Sequence, residues 1–148
     1  MTFIKRSGQM KHKVSTVWKG DTLFDSEIEG HHILAEAPGT SGEEREGVPP
    51  KKLMLTALAG CTGIDVVAML RKMRVEIDDF RIHIEAELTD ELPKHYSSMH
   101  VVYEFSGKDL PLDKLERAVE LSKEKYCGVS HVYRQAMEMT HEVRVQGV

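Results

Sequence analysis

The sequence predicts an α+β protein with antiparallel sheet and one long central helix. Three observations support this prediction: short apolar stretches separated by turn residues near the N-terminus, a long apolar segment around residues 51–74, and later segments that alternate strictly between apolar and polar residues. Period-two alternation is typical of half-buried strands, and a long apolar run is typical of a buried helix. Strands and helices grouped in this order favour α+β over α/β.

Length and composition indicate one soluble globular domain covering residues 1–148. The chain is 41% hydrophobic and 30% charged, which is ordinary for such proteins. A net charge of -4 without a basic stripe argues against a nucleic-acid partner. The start, "MTFIKRSGQMKHK", has no apolar core of the length that a secretory signal needs, so we expect a cytoplasmic location.

The N-terminal region, residues 1–37, is predicted to be a β meander. In "VSTVWKGDTLFDSEIEGHHILAEA", turn residues at 19–21 and at Glu29-Gly30 separate short apolar stretches. Residues 38–50, "PGTSGEEREGVPP", combine glycine, proline and charge and are predicted to form a loop. Its two final prolines suit the start of a helix.

The central helix is predicted over residues 51–74. Its apolar positions lie on nearly every side, which indicates a helix surrounded by protein. Thr62, Asp65 and two glycines argue against a membrane span. Small residues such as Gly60 and Gly63 indicate that another backbone approaches closely, from another helix or another subunit.

Residues 79–148 are predicted to hold strands and a helix pair. "DFRIHIEAEL" alternates, and its apolar face is formed by every second residue: Phe80, Ile82, Ile84, Ala86 and Leu88. "SMHVVYEFSG" is its expected neighbour. Asp109-Leu110-Pro111 opens a helix that Gly128 interrupts or kinks. The apolar face of that helix is predicted to contain Leu112, Leu115, Val119, Ser122 and Tyr126. "MTHEVRVQ" is predicted to be a last strand.

The two cysteines, Cys61 and Cys127, lie in recognisable contexts. "PPKKLMLTALAGCTGIDVVAML" and "AVELSKEKYCGVSHVYRQA" resemble the two signature regions of the OsmC/organic hydroperoxide resistance (Ohr) family, nearest its YhfA-like branch. The resemblance extends from the early strands to the last one. Without it, a cysteine inside an apolar run is most simply a core residue.

The resemblance implies a fold, an assembly and a reaction. The fold is OsmC-like, with antiparallel sheets around a long central helix, in an intertwined, domain-swapped homodimer. Cys61 corresponds to the peroxidatic thiol and Cys127 to the resolving thiol of the family's redox-active members. The implied partners are a small organic or lipid hydroperoxide and an external dithiol reductant of lipoyl or thioredoxin type, with no cofactor and no metal.

Such a reaction needs a thiolate at Cys61, which lies about ten residues into its helix, beyond the reach of the helix dipole. A side chain, either a cation or a hydrogen-bond donor, must therefore lower the pKa of Cys61. The family uses an arginine from the early hairpin or the following loop, for which Arg45 and then Lys19 are the nearest stand-ins. The position of the glutamate that orients this arginine holds Lys51 instead, followed by Lys52.

That departure keeps a second interpretation open: a non-catalytic dimer of the same fold that binds a small apolar ligand during oxidative or osmotic stress. Asp65, at i+4 from Cys61, is expected to have a structural role, or else to orient an arginine. A third interpretation is a metal site formed by Cys61, Cys127 and His131. The adjacent His31 and His32 point to opposite sides of a strand and make a poor chelate. Tyr126 and Tyr133 are expected to pack or to line a pocket.

Overall fold

The computed structural model describes residues 10–39 and 44–147. Parts of the predicted meander, loop and final segment, namely residues 1–9, 40–43 and 148, lie outside the described residues. The chain separates into two compact units, Met1–Leu53 and Met54–Val148.

The N-terminal unit contains a three-stranded antiparallel sheet. Its strands are β1 (Ser15–Gly20), β2 (Leu23–Ile28) and β3 (His31–Ala35), in the order β1-β2-β3. Glu29 and Gly30 join β2 to β3, and both have positive φ, 49° and 82°. Two consecutive positive φ values make a turn whose twist matches that of paired strands. The loop after β3 returns along it, since the Val48 N–H donates to the Leu34 carbonyl at 2.9 Å.

The long helix, α1 (Lys52–Lys72), follows Pro49 and Pro50. Its buried residues recur every fourth position: Leu58, Thr62, Val66 and Leu70. Within the described chain, protein covers only one side of this helix. Ile64 is 74% exposed, and apart from the neighbouring part of α1 itself no described atom lies within 4 Å of where a Cβ at Gly60 would sit. The reason is that one sheet covers one side of α1, while the apolar residues on the other side remain uncovered.

Of the described helices, α1 alone is long and apolar enough to cross a membrane by length and composition. Its buried residues, however, belong to the core of the C-terminal unit, where Leu58, Val66 and Leu70 join residues of the sheet. Thr62, at mid-helix, is hydrogen-bonded to side chains of other elements. These contacts are those of a core helix in a globular unit.

The second sheet contains β4 (Asp79–Leu88), β5 (Tyr96–Gly107) and β6 (Glu138–Gly147), in the order β4-β5-β6. β4 and β5 are antiparallel, and β4 alternates between half-buried and exposed residues as predicted. Leu88, predicted on the apolar face, is 51% exposed, because the register shifts between Glu87 and Leu88.

The prediction of purely antiparallel sheet is wrong for the last strand, because β6 pairs with β5 in parallel. Between them the chain forms α2 (Leu112–Leu121), a π-helical turn (Ser122–Tyr126) and α3 (Gly128–Ala136). A helical crossover of this kind carries the chain back to the end of the sheet at which β5 begins, so β6 runs in the same direction as β5.

The helix pair also departs from its predicted pattern. The buried face of α2 contains Leu115, Ala118 and Val119 and continues to Ser122, but Leu112 and Tyr126 are each 48% exposed. Leu112 is the first helical residue, and the π turn changes the periodicity before Tyr126 is reached. The break predicted at Gly128 falls one residue earlier, at Cys127, whose backbone is extended (φ -77°, ψ 101°).

Candidate active site

The two cysteines of the C-terminal unit lie side by side. Cys61 is half-buried on α1, and Cys127 is 2% exposed at the start of α3. Their Sγ atoms and a carboxylate oxygen of Asp65 all lie within 4.8 Å of one another. Both cysteines are free thiols. Residues separated by more than sixty positions in the sequence are thus close enough for a short movement to allow an S–S bond.

The π turn determines where Cys127 lies. The Cys127 N–H donates to the Ser122 carbonyl at 2.8 Å, which closes the wide turn. The extended backbone of Cys127 then makes it the N-cap residue of α3, and its Sγ accepts a hydrogen bond from the Ser130 N–H at 3.3 Å. The sulfur is therefore held at a helix start, facing Cys61.

Burial raises the pKa of Cys127 to about 12. Burial is the largest cause of this rise; a hydrogen bond with Cys61 and the charges of Cys61 and Asp65 also contribute to it, whereas the Ser130 N–H opposes it. Loss of solvent thus outweighs the helix-start position, which on its own favours a thiolate. At neutral pH the Cys127 side chain is a protonated thiol.

A buried network of hydrogen-bonded hydroxyl groups contacts Asp65. Ser122 donates from its hydroxyl to Asp65 Oδ2 at 3.0 Å. Thr62 Oγ1 lies 2.8 Å from Ser122 Oγ and 2.9 Å from the Tyr103 hydroxyl. The structural role expected of Asp65 agrees with its bond to Ser122. The hydrogen bonds among Thr62, Ser122 and Tyr103 were not predicted from the sequence, although polar residues on otherwise apolar faces are the available signal.

The cysteines and Asp65 supply three of the four ligands that a tetrahedral zinc site uses. The described residues contribute no fourth histidine, cysteine, aspartate or glutamate to this group. His131, expected in the metal interpretation, is exposed, and its Nε2 lies 3.0 Å from the amide nitrogen of Gln135. The set Cys61, Cys127 and His131 is therefore not the one that the structure brings together.

Arg45 belongs to the N-terminal unit, where the loop after β3 holds it. Its Nη1 donates to the Ala37 carbonyl at 2.7 Å and lies 3.7 Å from Glu36 Oε1. The other carboxylate oxygen of Glu36 accepts the N–H groups of Glu46 and Gly47, each at 3.2 Å. Glu36 thus fixes both the arginine and its loop. The role of Glu36 could not be predicted from the sequence, because only the return of the loop along β3 brings it to Arg45.

The remaining candidates lie on the surface or in packing positions. Lys19 and Lys51 are exposed. Asp25 lies 2.9 Å from His32 Nδ1 and, through this hydrogen bond and its charge, raises the pKa of His32. The Tyr133 hydroxyl donates to the Met54 carbonyl at 3.0 Å, which agrees with the packing role expected of Tyr133. Tyr126 is exposed beside Lys125.

The uncovered side of α1 and the neighbouring strand β4 form an apolar groove of about 610 Å³. Gly60, Gly63, Ile64 and Val67 of α1 line it, together with Phe80 of β4. This groove is distinct from the cysteine pair, since neither sulfur-bearing residue lines it.

Comparison with known proteins identifies the family. A family model described as "OsmC-like protein" matches residues 41–142. Protein YhfA of Escherichia coli (strain K12) is 33% identical over 127 residues, covering 86% of this chain and 92% of YhfA. A hypothetical protein from Aquifex aeolicus VF5 has the same fold, with a TM-score of 0.84, 25% identity, and coverage of 95% of this chain and 99% of its own.

The organic hydroperoxide resistance protein OhrB of Bacillus subtilis is a further structural neighbour, with a TM-score of 0.67 and 18% identity. The alignment covers 90% of this chain and 98% of OhrB, and at this identity the likeness concerns the fold. From the family-model match and the YhfA similarity, the chain belongs to the OsmC-like family, which includes proteins linked to hydroperoxide resistance.

Proposed function

We propose that this protein reduces organic hydroperoxides, with Cys61 as the peroxidatic thiolate and Cys127 as the resolving thiol. The observation that carries the proposal is the mutual approach of the two Sγ atoms within 4.8 Å. Membership of a family that includes organic hydroperoxide resistance proteins supports the choice of substrate.

The reaction has three steps. The Cys61 thiolate attacks the terminal peroxide oxygen, the O–O bond breaks, and the alkoxide leaves as an alcohol after taking up a proton. The resulting Cys61 sulfenic acid is attacked by the Cys127 sulfur, which forms the disulfide and releases water. An external dithiol then reduces the disulfide by thiol exchange and is itself oxidised.

The two thiols differ in a way that supports this order of events. Cys61 is half-buried, so a small substrate has a route to it, whereas Cys127 is 2% exposed. A thiol attacks as its thiolate, and the pKa of Cys127, about 12 because of burial, leaves almost none at neutral pH. Cys127 is therefore suited to act second, on a sulfur that is already its neighbour.

We assign the activating cation to Arg45, following the family resemblance. Its pairing with Glu36 supplies the orienting carboxylate that the sequence lacks at position 51. A glutamate from the end of the N-terminal sheet would then replace the family's glutamate at the helix start. Arginine suits this task because its charge is permanent and its donors lie in a fixed plane.

The proposed partners follow from the same reasoning. We propose a homodimer in which the uncovered groove on α1 meets a second copy, since α1 carries apolar residues that its own chain leaves exposed. The reductant is an external dithiol of lipoyl or thioredoxin type, and the reducing cytoplasm is the compartment consistent with two free thiols.

The test is a peroxide titration of the reduced protein alongside Cys61→Ser and Cys127→Ser. One equivalent of tert-butyl hydroperoxide is expected to oxidise both thiols of the parent rapidly, measured by mass and free-thiol count. The Cys127→Ser variant should accumulate a sulfenic acid on Cys61 that a dimedone probe traps. Arg45→Ala should slow thiol loss by about tenfold, because the role proposed for its cation is to favour the Cys61 thiolate.

Survival of both thiols in a large excess of peroxide would contradict the peroxidase proposal. The second interpretation would then be favoured, a non-catalytic dimer of the same fold that binds a small apolar ligand. Cys61→Ser is the matched control, since it should consume no peroxide under either interpretation.

A further inference from the structure

We propose that Asp65 is the general base of the resolving step, taking the proton from the Cys127 thiol as that sulfur attacks oxidised Cys61. This inference rests on the proposed function. It assigns to Asp65 a chemical role in addition to its hydrogen bond with Ser122.

The geometry of the three side chains supports the assignment. A carboxylate oxygen of Asp65 lies within 4.8 Å of both Cys127 Sγ and Cys61 Sγ. Asp65 stands one helical turn after Cys61 on α1, so both side chains project toward the same side. Contacts of a general base are often longer in a resting enzyme than in the reacting complex.

The hydrogen bond from Ser122 fixes the orientation of the carboxylate. Ser122 is fully buried and donates to Oδ2 at 3.0 Å. Thr62 bonds in turn to Ser122 and to the Tyr103 hydroxyl, which extends the network. A carboxylate that accepts one hydrogen bond from a buried hydroxyl still has lone pairs that can accept the thiol proton.

The resolving step needs such a base. The pKa of Cys127, raised by burial to about 12, leaves the thiol protonated, and the side chain is closed to bulk hydroxide at 2% exposure. Asp65 is the carboxylate among the described residues that clusters with the two sulfurs. The titratable groups facing Cys127 are Cys61 and Asp65 from α1, Tyr103 from β5 and Tyr133 from α3.

The same carboxylate balances the protons of the step. Asp65 takes the proton as the S–H bond of Cys127 breaks and the S–S bond forms. The S–O bond of the Cys61 sulfenic acid breaks, and the departing hydroxide receives the proton from Asp65 to leave as water. Asp65 returns to its ionised form, and the only oxidant consumed is the hydroperoxide of the first step.

The experiment measures the two steps separately in the reduced full-length protein. Each protein receives one equivalent of tert-butyl hydroperoxide. Sulfenic acid formation is followed with dimedone in the Cys127→Ser background. Disulfide formation is followed by free-thiol loss and by mass in the protein that has both cysteines. Asp65→Asn should lower the ratio of disulfide rate to sulfenic acid rate by about 100-fold, the usual contribution of a general base. Glu124→Gln, an equal change of charge at an exposed site in the π turn, should leave the ratio unchanged.

The pH profile provides a second readout that a purely structural role would not change. Disulfide formation in Asp65→Asn should rise about tenfold per pH unit between pH 7 and 9, because the rate then follows the fraction of Cys127 that is already a thiolate. In the parent it should vary little over this range. Asp65→Glu, which keeps the carboxylate, should restore a flat profile in part.

The outcomes separate this inference from the proposed function. If the ratio and the pH profile of Asp65→Asn equal those of the parent while the variant retains its far-UV circular dichroism, Asp65 is not the base. If Asp65→Glu behaves as Asp65→Asn does, the inference is also overturned. Absence of sulfenic acid in the Cys127→Ser protein, in contrast, would overturn the peroxidase proposal itself.

Discussion

At the residue scale, the two cysteines differ because of what surrounds each of them. Cys61 is half-buried at the middle of α1, whereas Cys127 is enclosed at the start of α3. The sequence located both, because each lies in a motif of the family. It could not locate the bond from Ser122 to Asp65 or the pairing of Glu36 with Arg45, since both depend on how distant segments meet.

The burial of Cys127 predicts a loss of stability at high pH. Its pKa is about 12 in the folded state because of burial, and an unfolded cysteine has an ordinary value near about 8.5. Between these values the folded state binds more protons than the unfolded state, so the free energy of unfolding falls as pH rises. The contribution of Cys127 to the free energy of unfolding is therefore fully present at pH values below the pKa of the unfolded cysteine.

Urea unfolding of the reduced protein between pH 8 and 10.5 tests this prediction. The parent should lose about 1.4 kcal/mol per pH unit more than Cys127→Ala does. Burial also raises the pKa values of Tyr103 and Tyr133, and their contribution has the same sign in both proteins. Equal slopes for the parent and Cys127→Ala would contradict the prediction.

At the element scale, Thr62 ties three elements together. It lies on α1, is 1% exposed, and its Oγ1 is hydrogen-bonded to Tyr103 of β5 and to Ser122 of the π turn. Thr62→Val keeps the shape of the side chain and removes its oxygen. We expect the free energy of unfolding to fall by about 1–3 kcal/mol, because two buried hydroxyls lose a partner.

The matched control is Thr56→Val, the same substitution at an exposed position of the same helix. Its effect should stay within about 0.5 kcal/mol, as for most surface changes. Urea unfolding curves followed by far-UV circular dichroism give both values. Equal effects at the two positions would mean that the network contributes no stability.

The elements themselves were largely predictable, and the reasons for the failures are physical. Periodicity located β4, whose side chains alternate strictly, whereas a long apolar run located α1. It could not predict that β6 is parallel to β5, since the side-chain period of a strand is the same in both pairings. The π turn before Cys127 also left no periodic signal, and it changes the phase of the face that follows α2.

At the scale of the whole molecule, the main discrepancy concerns α1. Its sequence indicates a helix covered on every side, but the described chain covers only the stripe containing Leu58, Val66 and Leu70. Ile64 is 74% exposed above the groove that Gly60 and Gly63 line. Two small residues beside an exposed isoleucine form a surface that a second helix can approach closely, and a second copy of the chain would complete the cover that the sequence predicts.

This argument predicts the oligomeric state. The parent protein should sediment as a dimer, and Ile64→Glu should shift it toward monomer, because a carboxylate buried between two helices loses its hydration. Leu92→Glu is the control: Leu92 is 87% exposed in the loop between β4 and β5, and the same charge there should leave the dimer intact. Analytical ultracentrifugation over a hundredfold range of concentration distinguishes the two states. A monomeric parent, or equal sedimentation of the parent and Ile64→Glu, would rule out the α1 groove as the dimer interface.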